Sequence, residues 1–174
     1  MAFARFCTEA YVRPNRHNMD NLFMHLTNYA INKFAEGYVD GDECEEGEGH
    51  KRSLGAILNI LKGEGVDVDD FMKQIKESIV KTVITAQPYL SHLYRVCQPE
   101  CLDNSMCFQI LGFDILIDNK HKPILLEVNA SPSFGTDSSL DYKIKKNVVG
   151  DALRMLNLSY ANRVKILKER ADNL

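Results

Sequence analysis

The sequence predicts an α+β fold, mainly antiparallel sheet flanked by helices. Two β-rich runs flank a short polar turn between Cys107 and Asn129. Strands joined by such a turn pair antiparallel. Two amphipathic stripes at helical spacing run from about Asp69 to Ala86 and from Ser139 to Asn157. The 174 residues suffice for one domain with its own core.

Taken in order, residues 1–14 read as a strand leading into a turn, with Phe3, Arg5, Phe6 and Cys7 ahead of Pro14. Residues 20–35 (DNLFMHLTNYAINKFA) are apolar but mixed, and fit helix and strand equally. Residues 36–50 are rich in glycine and acid and are expected to form a mobile loop. A short helix is expected over 53–62, opening on Ser53. The next runs over 69–86, with Phe71, Met72, Ile75, Ile79, Val83 and Ile84 as a core stripe. Asp67 or Asp69 caps its start, and Pro88 lies just beyond its end. The helix over 139–157 carries Leu140, Ile144, Val148, Ala152 and Leu156 on one side, with Asp137 or Ser138 as its cap. From Ser159 a tail bears Arg163, Lys165, Lys168 and Arg170, so the domain is expected to span 1–158 and a basic, helix-compatible tail 159–174.

The stretch CFQILGFDILIDNKHKPILLEVN (Cys107–Asn129) carries the chemistry. Symmetry about the turn Asn119–Lys122 pairs Ile117 with Ile124. Alternation then places Leu111, Phe113, Ile115, Ile117, Ile124, Leu126 and Val128 on an apolar, core-facing side. Asp114, Leu116, Leu125, Glu127 and Asn129 share the other, with Asp114 directly across from Glu127. Opposed carboxylates destabilise a sheet unless a cation sits between them. Two carboxylates and an amide oxygen suit a hard cation such as Mg²⁺, which takes its remaining ligands from water and substrate phosphates. Spacing alone leaves open a second reading, a solvated pair on the sheet's outer side. No EF-hand loop and no Walker-type glycine loop is present.

Composition narrows the class. The net charge is −3, yet residues 40–48 (DGDECEEGE) hold six acidic groups and no basic one; relieved of those six, the rest of the chain stands at +3. A mildly basic body suits an acidic partner. No apolar run reaches the roughly 20 residues of a membrane span, and MAFARFCTEAY lacks the order of a signal peptide. Cys7, Cys44, Cys97, Cys101 and Cys107 are odd in number and irregular in spacing, which fits reduced cytosolic thiols and matches no zinc pattern.

Three runs, HLTNYAINK (His25–Lys33), LGFDILID (Leu111–Asp118) and LLEVNASPSFGTDSSLDYKIK (Leu125–Lys145), resemble motifs of the tubulin tyrosine ligase-like family, in that family's order. The glutamylating branch is the nearest likeness, over about Arg5 to Leu153. The resemblance implies the carboxy-terminal lobe of an ATP-grasp domain, with ATP and Mg²⁺ as cofactors. It implies that Asp114, Glu127 and Asn129 bind magnesium, agreeing with the hairpin argument. It implies that Thr27 and Asn28 contact ATP, and that Arg5 holds the carboxylate of the incoming amino acid. Arginine's fork of donors fits that task. Tyr29, Ala30, Lys51 and Lys145 fall where glutamylating members contact the amino acid, with Arg5 and Lys145 as the catalytic pair. Ala30 replaces the serine usual there, and the match at Lys51 can slip to Arg52. Each of these side chains also has an ordinary structural reading: an ion pair, a surface cation or a cap.

The implied function is ATP-dependent addition of free L-glutamate to glutamate side chains in acidic tubulin tails, through an acyl phosphate. A glycine or tyrosine ligase of the same family, and a non-catalytic microtubule-binding module, are the alternatives. The implied setting is cytoplasmic, on the cytoskeleton at cilium, flagellum or basal body, as a monomer with neither nucleic-acid nor membrane partners. The family's preceding lobes are not recognisable here, so this chain by itself is expected to have little or no ligase activity.

Overall fold

The computed structural model describes residues 2–40, 48–101, 107–157 and 159–172. Cys44 and most of the acidic run lie outside them. In chain order the elements are β1 (Phe3–Arg5), α1 (Leu22–His25), α2 (Tyr29–Asn32), β2 (Lys51–Ser53), α3 (Leu54–Gly63), α4 (Val68–Cys97), β3 (Gly112–Ile117), β4 (Pro123–Asn129), α5 (Ser139–Leu156) and α6 (Tyr160–Asp172). Helix and strand mix as an α+β chain. Among the described residues the pairing is antiparallel, in two two-stranded sheets, but the chain is not mainly sheet as expected: helix makes up half of it and strand far less. The chain divides into two compact units, Met1–Ile57 with Phe134–Leu174, and Leu58–Ser133.

In the first unit, β1 pairs with β2, setting Phe3 against Ser53, Ala4 against Arg52 and Arg5 against Lys51. The ambiguous stretch 20–35 resolves into two single turns, α1 and α2, around an extended Leu26. The reason lies in Asn32, which is 1% exposed. Its Oδ1 accepts from the Thr8 amide (3.1 Å) and hydroxyl (2.6 Å), while its Nδ2 donates to the Leu26 (2.5 Å) and Asn28 (3.2 Å) carbonyls. One side-chain amide thus satisfies the backbone between the two turns, where a longer helix or a strand would otherwise be needed. The two sides of the acidic segment are tied together. The His50 amide donates to the Val39 carbonyl (3.1 Å), and the Val39 amide to His50 Nδ1 (3.0 Å).

Helix starts follow local chemistry. Ser53 Oγ accepts from the Ala56 amide at 3.2 Å, Asp67 from the Asp69 and Asp70 amides at 3.0 Å each, and Ser138 from the Asp141 amide at 3.2 Å. Along α5, Leu140, Ile144, Val148, Ala152 and Leu156 are all half-buried, the side expected from their spacing. The basic tail is helical, as α6.

In the second unit two expectations fail. Pro88 does not end α4 but lies inside it. A single interior proline costs about 3 kcal/mol, and the helix nonetheless runs on to Cys97. The Gln98 amide donates to the Tyr94 carbonyl (2.8 Å), and the Tyr94 hydroxyl meets buried Cys101 Sγ (3.1 Å). Nor is the whole stripe core: Phe71 is buried and Met72, Ile75 and Ile79 half-buried, but Val83 and Ile84 are exposed. The cysteines Cys7, Cys97, Cys101 and Cys107 are in no disulfide.

The β3–β4 hairpin closes on Asp118, whose carboxylate accepts from the Lys120 and Lys122 amides at 2.8 Å each, with His121 in the left-handed region at φ 60°. Those two amides, Lys122 first, hold the Asp118 carboxyl below its ordinary value.

Two predictions follow from these bonds. Asn32→Ala leaves the Thr8 hydroxyl and the Leu26 carbonyl without their buried partner and should lower unfolding free energy by about 3 kcal/mol, seen as a lower urea midpoint at unchanged slope. For Asp118 the folded value is the depressed one, so its contribution is complete above the unfolded-state value and is lost as pH falls through the lower, folded one. Hydrogen-exchange protection at Lys120 and Lys122 should therefore fall on acidification through that window, and Asp118→Ala should cause the same loss at neutral pH.

Candidate functional site

The first unit holds seven of the residues singled out from sequence, of which Arg5, Tyr29, Lys51 and Lys145 cluster around the β1–β2 ribbon and the start of α5. Alternation along β1 and β2 puts Phe3, Arg5, Lys51 and Ser53 on one side of the ribbon, with Arg5 directly opposite Lys51. The Lys51 ammonium lies 4.6 Å from the centre of the Phe3 ring and 5.7 Å from that of Tyr29, within cation–π range. It forms an ion pair with Asp141 Oδ2, and its side chain is only 11% exposed. Lys145, in the second turn of α5, donates to the Gly135 carbonyl and stands 3.8 Å from Asp141 Oδ1. The register also separates Lys51 from Arg52. Arg52 points to the opposite side, its guanidinium 4.4 Å from the centre of the Phe6 ring and its Nε on the Gly49 carbonyl (2.8 Å).

An aromatic row borders this cluster. Tyr29 meets Tyr38 edge-on at 6.1 Å, and Tyr38 stacks on His50 at 5.4 Å. Burial first, then the Asp40 carboxylate, raises the pKa of the Tyr38 hydroxyl. Lys33 adds a further ammonium 5.5 Å from the centre of the Tyr29 ring. Thr27 and Asn28 precede α2. Asn28 occupies its N-cap position without a side-chain cap bond, and its carbonyl instead receives the Ile31 and Asn32 amides (3.0 and 2.9 Å). Ala30 is exposed on α2.

The second unit carries the carboxylates. Asp114 pairs directly with Glu127, as expected, and Gly112 pairs with Asn129. Between Asp114 and Ile115 the register shifts, so that Ile115 meets Leu125 and Ile117 meets Pro123 rather than Ile124. Leu126 is therefore the extra residue of a β-bulge. The bulge exchanges the sides of the residues beyond it: Leu125 joins Phe113, Ile115 and Ile117, all half-buried, and Ile124 joins Leu116, both exposed. The side expected to be core is thus only partly so, since Leu111, Ile124, Leu126 and Val128 are exposed. A bulge beside paired carboxylates re-aims side chains without breaking their pairing.

Asn129 Nδ2 donates to Glu127 Oε1 at 3.0 Å. With its nitrogen engaged there, the amide oxygen is left as the donor atom, and with Asp114 and Glu127 it makes an all-oxygen set that fits a hard cation. Among the described residues no three His, Cys, Asp or Glu side chains converge as a metal-binding group; this set is two carboxylates and an amide. Gly112 permits the close approach here, because a Cβ on it would lie 3.1 Å from Pro132 Cβ and 3.6 Å from Asn129 Cβ.

Asp141 escaped the sequence reading. It is 1% exposed and meets both lysines. The signal was the capping-box spacing Ser138-x-x-Asp141. In that motif the acidic side chain ordinarily turns back to the cap residue's own amide, whereas here it turns to Lys51.

One unit thus carries a ribbon with Arg5 opposite Lys51, and the other a hairpin with Asp114 opposite Glu127. The family description "Tubulin-tyrosine ligase family" matches residues 1–166, and the chain belongs to that family. It is 46% identical over 97% of its length to a probable beta-tubulin polyglutamylase of Tetrahymena thermophila, 46% identical over 95% to tubulin polyglutamylase TTLL6 of Mus musculus, and 44% identical over 97% to tubulin polyglutamylase TTLL7 of Homo sapiens. The chain spans 14%, 20% and 19% of the length of these curated relatives. No helix among the described residues is long and apolar enough to cross a membrane.

Among the described residues, Lys51→Met leaves the buried Asp141 carboxylate with Lys145 as its one remaining cation and the Ser138 hydroxyl as its one hydrogen-bond donor, and should destabilise the protein by about 3 kcal/mol. Arg52→Met, on the opposite side of the same strand, should cost under about 1 kcal/mol. Thermal and urea unfolding of the two variants side by side check this.

Proposed function

We propose that the protein is an ATP- and magnesium-dependent carboxylate–amine ligase that adds glutamate to glutamate side chains of tubulin tails. The observation that carries this reading is the direct pairing of Asp114 with Glu127 beside Asn129. Opposed carboxylates are unfavourable in a bare sheet and explicable in one that holds a cation. The names of its relatives support tubulin as the acceptor. We infer that the fold is the carboxy-terminal lobe of an ATP-grasp domain and that the working protein is a cytoplasmic monomer. It acts on the cytoskeleton, at cilium, flagellum or basal body, without nucleic-acid or membrane partners.

The chemistry runs as two transfers. The acceptor's side-chain carboxylate takes the terminal phosphoryl group of ATP and ADP departs. The amino group of free L-glutamate attacks that acyl carbon, loses a proton and expels phosphate, leaving an isopeptide bond. Asp114, Glu127 and Asn129 would hold magnesium, which when bound offsets charge on the phosphates. Thr27 and Asn28 contact the nucleotide. Arg5, Lys51 and Lys145 hold the carboxylates of the incoming amino acid, with Tyr29 and Ala30 beside them. Fixing the amine against the acyl phosphate converts an encounter into an intramolecular step. The pairing of Arg5 with Lys51 across the ribbon supports an anionic amino acid.

The test compares the full natural protein with its Glu127→Gln variant, each given tubulin, ATP, magnesium and labelled glutamate, glycine or tyrosine. Glutamate should enter the wild-type reaction and fall by about a hundredfold in the variant, the scale for losing one electrostatic contact at developing charge. Glycine or tyrosine incorporation instead would keep the mechanism and change the substrate. Incorporation of none of the three, with microtubules still bound, would replace the ligase reading with a binding module.

A further inference from the structure

We propose that Asp141 is a positioning residue, which holds Lys51 and Lys145 as a fixed pair of cations and thereby sets the preference for an amino acid carrying a side-chain carboxylate. The inference rests on the ligase reading above and adds to it a residue and a basis for selectivity.

Asp141 is one of the two most completely buried side chains among the described residues, at 1% exposure. A carboxylate so placed is stabilised only by partners, because burial alone strongly disfavours its charge. Its Oδ2 takes the ion pair from Lys51 and a bond from the Ser138 hydroxyl at 3.3 Å. Its Oδ1 is buried and receives no hydrogen bond among the described residues, and the Lys145 ammonium stands 3.8 Å from it. Both lysine side chains are themselves mostly covered, at 11% and 18% exposure.

Helix capping does not account for this arrangement. The cap of α5 is complete once Ser138 Oγ receives the Asp141 amide. The Asp141 side chain is left over from that task and is spent on two cations, one from a strand and one from its own helix. A single carboxylate cannot neutralise two ammonium groups, so the pair keeps one net positive charge at a fixed spacing. Lysine stems carry much rotamer freedom, and ordering them beforehand removes that cost from substrate binding. The Phe3 and Tyr29 rings restrain Lys51, and the Gly135 carbonyl restrains Lys145. Such a pair favours glutamate over glycine, which offers no second carboxylate.

The test uses the full natural protein. Asp141→Asn keeps the shape of the side chain but removes the charge, so the two lysines repel. The KM for glutamate should rise by about tenfold or more, and the preference for glutamate over glycine in kcat/KM should fall by a similar factor, with the KM for ATP changed less than about twofold. Asp141→Glu should restore part of that preference. Asp67→Ala, which loosens the cap of α4, controls for lost stability and should leave the preference in place. Lower stability with both KM values and the preference unchanged would reduce Asp141 to a structural residue and overturn the proposal. Should Asp141→Asn fail to fold, acetylation of lysines in the wild-type protein decides. Glutamate should protect Lys51 and Lys145 together and glycine should protect them less; protection of one alone, or of neither, overturns the proposal. A wild-type protein that ligates no glutamate would instead sink the ligase reading, and that result appears before any variant is compared.

Discussion

The first unit is built from two stretches of chain that a whole second unit separates in sequence, and the Lys51–Asp141 pair ties them across 90 positions. Much else in that unit depends on it. Lys51 is directly opposite Arg5, so fixing the ammonium also fixes the side of the ribbon on which the guanidinium stands. Asp141 lies in the first turn of α5, so the same bond ties that turn to β2. Buried ion pairs are poor sources of net stability, because desolvation offsets most of the attraction. What they impose is geometry, since a mispaired alternative leaves a charge uncompensated in a dry place.

Asn32 obeys the same logic without charge. Its amide answers the backbone of Thr8 and of the link between α1 and α2, and no apolar residue of similar size can do so. The two most deeply buried side chains described are thus an amide and a carboxylate, not members of an oily core. Buried polar side chains with distant partners tie the unit together, and a partly lost network would leave costly unpaired groups.

Features that depend on near neighbours were legible in the sequence. The caps at Ser53, Asp67 and Ser138 require only the next three residues, and the stripe on α5 requires only its own spacing. The pairing of Asp114 with Glu127 was expected from symmetry about a short turn; the turn instead pairs Ile117 with Pro123, and the one-residue bulge restores the expected pairing beyond it. The bulge itself was not legible, because an extra residue at Leu126 leaves the composition of both strands unchanged. Pro88 misled because proline disfavours a helix interior without forbidding it, and here the helix continues to Cys97. Asn32 and Asp141 stayed hidden because a polar residue in a sequence looks solvated until its distant partners are known. Of the residues singled out for binding, Arg5, Tyr29, Lys51 and Lys145 come together in one unit. Thr27, Asn28 and Ala30 sit at or before the start of α2, where the sequence could place them but not say what they touch.

The bulge bears on inherited variation. Leu126 is 61% exposed and has no partner across the ribbon, so its identity matters little. Its presence matters a great deal, because it is the spacer that keeps Glu127 opposite Asp114 while Leu125 turns inward. Almost any missense change at this position would pass unnoticed. The in-frame loss of its single codon would move one end of the strand by a residue, turning either the acidic or the apolar side chains the wrong way.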